Sequence, residues 1–490
     1  MRQYLYLQKH TRPPGPLETF YLCRNIEHYY TNFNVTISLN QRTDNILLSN
    51  ALRSIISKNT SFTINAYPTE DCKKIYKGKY KLAPVREIRF DDVVKFVRIE
   101  DKLDEKVLKQ MDAEICNMNT DKPLWKLIVY ESLRDGKQYL SFCCDHMLFD
   151  GTSAVHFHED LVNHLGHYSN IKNLKFQEVL FNYSSEKYTL PPIHPCSEDL
   201  TDLYLSSWVY LISVIVKNFV IVTFLVECFK LLLTKQRKGV LQAPIFSTNS
   251  ELQKYPVTHF KLINLPPKQV KKLLLFCKEN GTTLTPMLTA IGTACLQETI
   301  QRNQSKEFSF KVEVVVDGRR YFPEKTDLTR YGIYVSPVYC RIDPLEVAYK
   351  QPMQFEVPVR KLSYAVNSAL KSRSSFKFTG LLKYVNCWDF LENKFKKSSD
   401  RDTISISNLG RHDINLGPWH VDDLWFSQSI GISSFFGLSF VSSPLGGLNI
   451  AFGYFKEFDN LPKGSTSKLS YADQFQKKFT DTLASLAATY

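Results

Sequence analysis

The chain of 490 residues is too long for one compact core, so about two to three lobes of ordinary size are expected, with room for a site between them. Its hydrophobic content of 43% and aromatic content of 13% exclude a disordered chain and leave no need for a stabilising metal or disulfide. The net charge of +13 favours anionic partners. Against nucleic acid, however, no zinc-finger spacing or arginine-rich tract is present, and Lys371, Arg373, Lys377, Lys383, Lys394, Lys396 and Lys397 are spread rather than striped, which reads as solvated surface.

In chain order, the polar start over 1–16 has no apolar stretch before its prolines, so no secretory signal is expected. The 11 cysteines include no CxxC pair. Cys143 and Cys144 sit in an apolar run and read as buried thiols of a reducing compartment, and the sequons at Asn34, Asn59, Asn182, Asn280 and Asn303 are expected to be unused. Periodicity predicts an amphipathic helix over 44–57 and strands over 125–130 and 138–144, within an α/β lobe spanning 1–185. Pro191, Pro192 and Pro195 among polar residues mark an exposed crossover, taken as 186–250.

Within that crossover, 208–226 is nineteen residues with one formal charge, Lys217, and as a helix it would be about 28 Å long, enough to span a bilayer. Acidic Glu198, Asp199 and Asp202 precede it and Lys235, Arg237 and Lys238 follow. On a helical wheel Ser206, Ser213, Lys217, Thr223, Glu227 and Lys230 form one polar arc, which favours lying in the membrane interface or re-entering near Lys217 and Asn218.

A second lobe, 251–490, opens with a strand over 259–265 and a helix over 269–278 closed by Asn280 and Gly281. Another helix should follow, with Thr285 as N-cap and Pro286 at its first position. Further strands are predicted at 309–317, 334–342, 403–407, 436–441 and 448–454, and a last helix at 471–487.

The sharpest local feature is the strand 138–144 running into His146-Met-Leu-Phe-Asp150-Gly151 and then a helical pattern. A histidine at such a strand end can face a cleft, and Asp150 four residues on can fold back to brace the turn, with Gly151 supplying backbone freedom. His156 and His158 in the following helix read as surface or structural.

This H-x-x-x-D-G resembles that of the coenzyme A-dependent acyltransferases, which include chloramphenicol acetyltransferase and the plant BAHD enzymes. Within that superfamily the chain is most similar to the fungal alcohol O-acetyltransferase family, whose relatives include a sphingoid-base N-acetyltransferase. Support comes from Leu17-Glu-Thr-Phe-Tyr-Leu with Tyr30-Thr-Asn-Phe, from Pro123-Leu-Trp-Lys-Leu, and from Ile406-Ser-Asn-Leu-Gly410. Val316-Asp-Gly-Arg-Arg-Tyr321 and Pro444-Leu-Gly-Gly-Leu-Asn-Ile-Ala resemble later strands of the plant enzymes. Their D-F-G-W-G loop is absent, with Asp422-Asp-Leu-Trp-Phe near its place.

The resemblance implies an α/β, two-lobed chloramphenicol acetyltransferase-like fold with a tunnel between the lobes, and no metal. His146 would be the general base, Asp150 a structural brace paired with Arg319, and Ser407 and Asn408 the oxyanion donors. Acetyl-CoA would be a cosubstrate rather than a bound cofactor, and the acceptor a lipophilic alcohol or a long-chain amine. A monomer on a membrane surface follows, at the cytosolic face of the endoplasmic reticulum or a lipid droplet, otherwise cytoplasmic. Two rivals stay open: a non-catalytic membrane-associated binding protein on the same fold, and a condensation-type enzyme.

Overall fold

The computed structural model describes residues 9–69, 79–215, 254–301, 309–322, 327–342, 356–396, 401–460 and 469–490. Its frame is two six-stranded sheets. In chain order the strands are β1 (Phe33–Leu39), β2 (Val94–Ile99), β3 (Trp125–Ser132), β4 (Gln138–Cys144), β5 (His259–Leu265) and β6 (Phe310–Asp317), then β7 (Val335–Ile342), β8 (Asp402–Arg411), β9 (Asn415–Leu416), β10 (Trp419–Gln428), β11 (Ser434–Ser443) and β12 (Gly447–Tyr454). The first sheet runs β9-β10-β1-β4-β3-β2 and the second β7-β6-β8-β11-β12-β5.

Every residue of β1, β4, β11 and β12 is buried. These strands therefore lack the alternation of a half-solvated sheet, because helices cover one face and the opposing lobe covers the other. The helices Asn45–Lys58 and Gly151–Tyr168 pack together over the first sheet. Asp44 caps the first of them by accepting from Leu47 N at 2.8 Å. Under them Phe142 and Phe157 stack at 4.0 Å between centroids, a contact worth about 1 kcal/mol beyond the area it buries. The helices Leu284–Gln301 and Tyr471–Thr489 pack together against the second sheet.

One strand ties the lobes together. β10 lies late in the chain, within the last of the three segments read from the sequence, yet it pairs antiparallel with β1 of the first sheet, from Phe33 opposite Gln428 to Leu39 opposite Val421. The chain then crosses to β11 in the second sheet. The stretch Asp422-Asp-Leu-Trp-Phe is thus the middle of a sheet strand rather than a loop.

Most predicted elements are present with shifted ends. Gly281 has φ +58° just past the helix Pro267–Glu279, as a helix-closing glycine should. The following helix starts at Leu284, one residue before its predicted cap, so Thr285 does not cap it. Its hydroxyl receives Asn408 Nδ2 at 2.9 Å instead. Cys143 and Cys144 are fully buried. Of the apolar stretch 208–226 the described part is the helix Trp208–Ile215, and 216–226 lies outside the described residues. Among the described residues no helix is long and apolar enough to cross a membrane.

Candidate active site

The apolar strand β4 ends at Cys144, and the chain turns over Asp145 into the helix Gly151–Tyr168. Asp145 closes that turn, its Oδ1 accepting from Met147 N at 2.8 Å and its Oδ2 from Asn25 Nδ2 at 2.7 Å. Burial pushes its carboxyl up to about 6, against these donors.

Held by this turn, the His146 ring stacks on Tyr21, with centroids 4.3 Å apart and planes 9° apart, and lies 4.9 Å from the Phe33 ring. Nδ1 is buried without a hydrogen-bond partner among the described residues, which leaves Nε2 as the nitrogen that can face open space. Burial, and next the Arg24 guanidinium, push the imidazole down to about 4, so it stays neutral at physiological pH.

His146 lines a cavity of about 530 Å³ between the two sheets. Tyr21, Arg24, Tyr30 and Gln428 come to it from the first lobe and its added strand, and Glu313, Ser405, Ser407 and Ser439 from the second. Its remaining wall is largely apolar, from Leu17 and Phe20 to Phe378, Leu382 and Phe390. A mostly apolar chamber with a few converging polar groups is the usual form of a small-molecule site.

Asp150 points the other way. It is fully buried, caps the helix Gly151–Tyr168 through Ser153 N at 2.9 Å, and accepts Tyr334 N at 2.9 Å. Arg319 grips it bidentately from the second lobe, Nη1 to Oδ2 at 2.7 Å and Nη2 to Oδ1 at 3.0 Å. Burial alone would raise this carboxyl, but the guanidinium and the donated hydrogen bonds outweigh it and hold it below the ordinary range. The pairing implied for Asp150 and Arg319 is therefore present as a latch across the two lobes. Gly151 serves space rather than backbone freedom, since a Cβ there would lie 2.2 Å from Leu409 Cδ2.

The two expected oxyanion donors separate. Ser407 faces the cavity, its Oγ accepting from Gln428 Nε2 at 3.1 Å, which leaves its own proton free to donate. Asn408 does not, because side chains alternate along β8 and it shares the face of Ile404 and Ile406 in the core. Its amide is spent on Thr285 and on Gly410 N at 2.8 Å. His158 is structural, fully buried with Nε2 bonded to Val35 O at 2.8 Å.

Sequence reasoning missed Tyr21, Arg24, Tyr30 and Glu313. Arg24 sits in an aromatic cage, 3.9 Å over Tyr30 and 4.8 Å over Tyr21, with Nε and Nη2 unpartnered among the described residues. The available signal was the spacing of Leu17, Tyr21 and Arg24, which puts them on one face of the helix Pro16–Ile26.

The chain is similar to known proteins over almost its whole length. N-acetyltransferase SLI1 of Saccharomyces cerevisiae is 22% identical over 476 residues, covering 89% of this chain and 94% of that protein. Alcohol O-acetyltransferase 2 of the same yeast is 22% identical over 508 residues, covering 91% and 92%. Among solved structures, the TRI3 trichothecene 15-O-acetyltransferase of Fusarium sporotrichioides has the same fold, with a TM-score of 0.66 at 13% identity over 97% of this chain and 94% of that one. The first condensation domain of the CDA synthetase also shares the fold, with a TM-score of 0.57 at 15% identity over 98% of this chain and 96% of that one. The alcohol acetyltransferase family model matches residues 14–481, so the chain is an acyltransferase and belongs to the alcohol acetyltransferase family.

Proposed function

We propose that the protein transfers an acetyl group from acetyl-CoA to the hydroxyl of a lipophilic alcohol at the cytosolic face of a membrane, with His146 as general base. The observation that carries this reading is the His146 ring at the wall of a chamber lined from both sheets, with Nδ1 shut away so that Nε2 is the nitrogen left to face it. His146 Nε2 takes the acceptor's proton as the acceptor oxygen bonds to the thioester carbonyl carbon. The carbonyl oxygen becomes an anion, for which the Ser407 hydroxyl is the donor in the lining that sequence and geometry both nominate. The C–S bond then breaks, the carbonyl re-forms, and the departing thiolate takes the proton from the imidazolium. Attack on the thioester is direct, so no Cys or Ser nucleophile is required.

The test is His146→Ala with radiolabelled acetyl-CoA and a panel of alcohols. Transfer should fall by about 10²–10⁴-fold while the melting temperature moves little, because the ring takes no part in the Asp150–Arg319 latch. Undiminished transfer would end this mechanism. One observation favours an amine as second acceptor class: Glu313 sets a carboxylate into the mostly apolar lining, where an ammonium head would pair with it. Long-chain amines beside alcohols in the same panel, with Glu313→Gln, separate the two.

A further inference from the structure

The apolar wall of the cavity is also a piece of the outer surface. Phe378, Leu381, Leu382 and Val385 line the cavity from one short stretch, Ser374–Thr379 followed by Gly380–Tyr384 and its exit. Two of them are well exposed too, Phe378 at 43% and Val385 at 37%, so the chamber opens here. The chain arriving from the crossover packs against this stretch from outside. Ser206 Oγ donates to Lys377 O at 2.5 Å, Tyr210 OH to Ser374 O at 3.1 Å, and the Trp208 and Tyr384 rings lie 6.3 Å apart. Gly380 permits the approach, since a Cβ there would sit 1.8 Å from Tyr204 O.

The joined surface is apolar where solvent should meet polar groups. Trp208 is 71% exposed and Val209 77%, with Leu205, Ile212 and Tyr384 exposed beside them. It is also net positive, because 371–386 holds Lys371, Arg373, Lys377 and Lys383 and not one acidic residue, against the single exposed Asp202 on the arriving chain over 201–215. The spread of basic residues read from the sequence as solvated surface thus gathers, in part, on the rim of an apolar patch.

We infer that this face seats on an anionic lipid bilayer and that the cavity mouth opens within the seat, so a long-chain acceptor passes from the leaflet to His146 without crossing water. The passage rests on the acyl-transfer reading, whereas the docking does not. Trp208 and Tyr384 suit the boundary between headgroups and acyl chains. Lysine stems lie along apolar surface while their heads reach lipid phosphates. A second copy of the chain is a poorer occupant, because its own basic rim would meet this one with like charge.

Co-sedimentation of the full-length chain with vesicles tests the docking. Phosphatidylserine-containing vesicles should bind it about tenfold more tightly than pure phosphatidylcholine, and less so as salt rises. Val209→Glu with Trp208→Glu should cut that binding about tenfold, and Lys383→Gln with Lys371→Gln by a smaller factor. Melting temperature and acetylation of a short soluble alcohol should not change in either variant, whereas acetylation of a vesicle-embedded long-chain alcohol falls with binding. Binding that ignores lipid charge or survives the paired Glu substitutions overturns the inference, as does a wild-type dimer that those substitutions dissolve. Intact docking with no transfer to any acceptor would instead sink the acyl-transfer reading, and the passage with it, while the docking stands.

Discussion

Asp150 and His146 stand at opposite ends of one turn and are treated oppositely by their neighbours. Asp150 accepts five hydrogen bonds, from Ser153 N, Ser153 Oγ, Tyr334 N and both terminal nitrogens of Arg319. His146 Nδ1 is buried without a partner among the described residues, and its ring packs against Tyr21 and Phe33. Buried polar groups are normally paired, and what sets His146 apart is that its ring also lines the cavity while Asp150 does not. The aspartate is saturated and fastens the lobes together, while the imidazole, its Nδ1 shut away, has Nε2 left over for the proposed proton transfer. The shared motif is thus one local chain segment doing two separable jobs.

Separability can be broken from the latch side. After the catalytic loss expected at His146, the largest effect is that of Asp150→Ala, which strands a guanidinium only 12% exposed and should cost about 3–5 kcal/mol of stability. Asp317, 3.4 Å from Arg319, compensates only in part. Arg319→Met should cost less, because the carboxylate keeps its three other donors. Urea unfolding of the two variants measures the order, and a reversed order would show that the cap rather than the ion pair carries the latch.

How much of this was legible in the sequence follows from what is local. The strand, turn and helix around His146 lie in one stretch whose apolar run and turn residues are readable, and the Asp150–Arg319 pairing was implied by family likeness rather than by spacing. Strand β10 was not read as a strand because its pattern mixes buried and half-buried residues without clean alternation, and its partner β1 lies almost four hundred residues away. Gly151 was given a conformational reason when the true one is Leu409, a neighbour that only the folded chain supplies. Period-two alternation along a strand forbids Ser407 and Asn408 from facing one cavity, a constraint that is local and within reach of the sequence.

That alternation supplies the next test. Ser407→Ala should lower kcat about 10²-fold, as removal of an oxyanion donor does, with KM for the alcohol little changed. Asn408→Ala should leave kcat alone and cost about 1 kcal/mol of stability, since it releases Thr285 and Gly410 N on the core face. Should Asn408→Ala damage kcat more than Ser407→Ala, β8 presents its other face to the reacting atoms and the assignment fails.

The smallest expected effect is the most specific to the base. An imidazole pushed down to about 4, by burial first and by Arg24 second, is already neutral well below pH 6. Between pH 7 and 5.5, kcat/KM should change by less than about twofold, whereas an ordinary histidine near 6.5 would lose about eightfold. The same shift makes the folded state bind fewer protons than the unfolded one between about 6.5 and 4, so His146 subtracts stability as pH falls through that window. Asp145, raised to about 6, acts in the opposite sense, which makes the melting curve of the native chain alone an ambiguous reading. Subtracting the His146→Gln curve isolates the histidine, and the variant should lose less stability on acidification. Arg24→Gln should then move the acid limb of kcat/KM upward, but by less than burial itself does, because the guanidinium is the second cause and desolvation the first. A limb that stays near 6.5 in the native enzyme would mean that the ring is wetter than its stacking on Tyr21 allows, and the contrast with Asp150 would lose its electrostatic half.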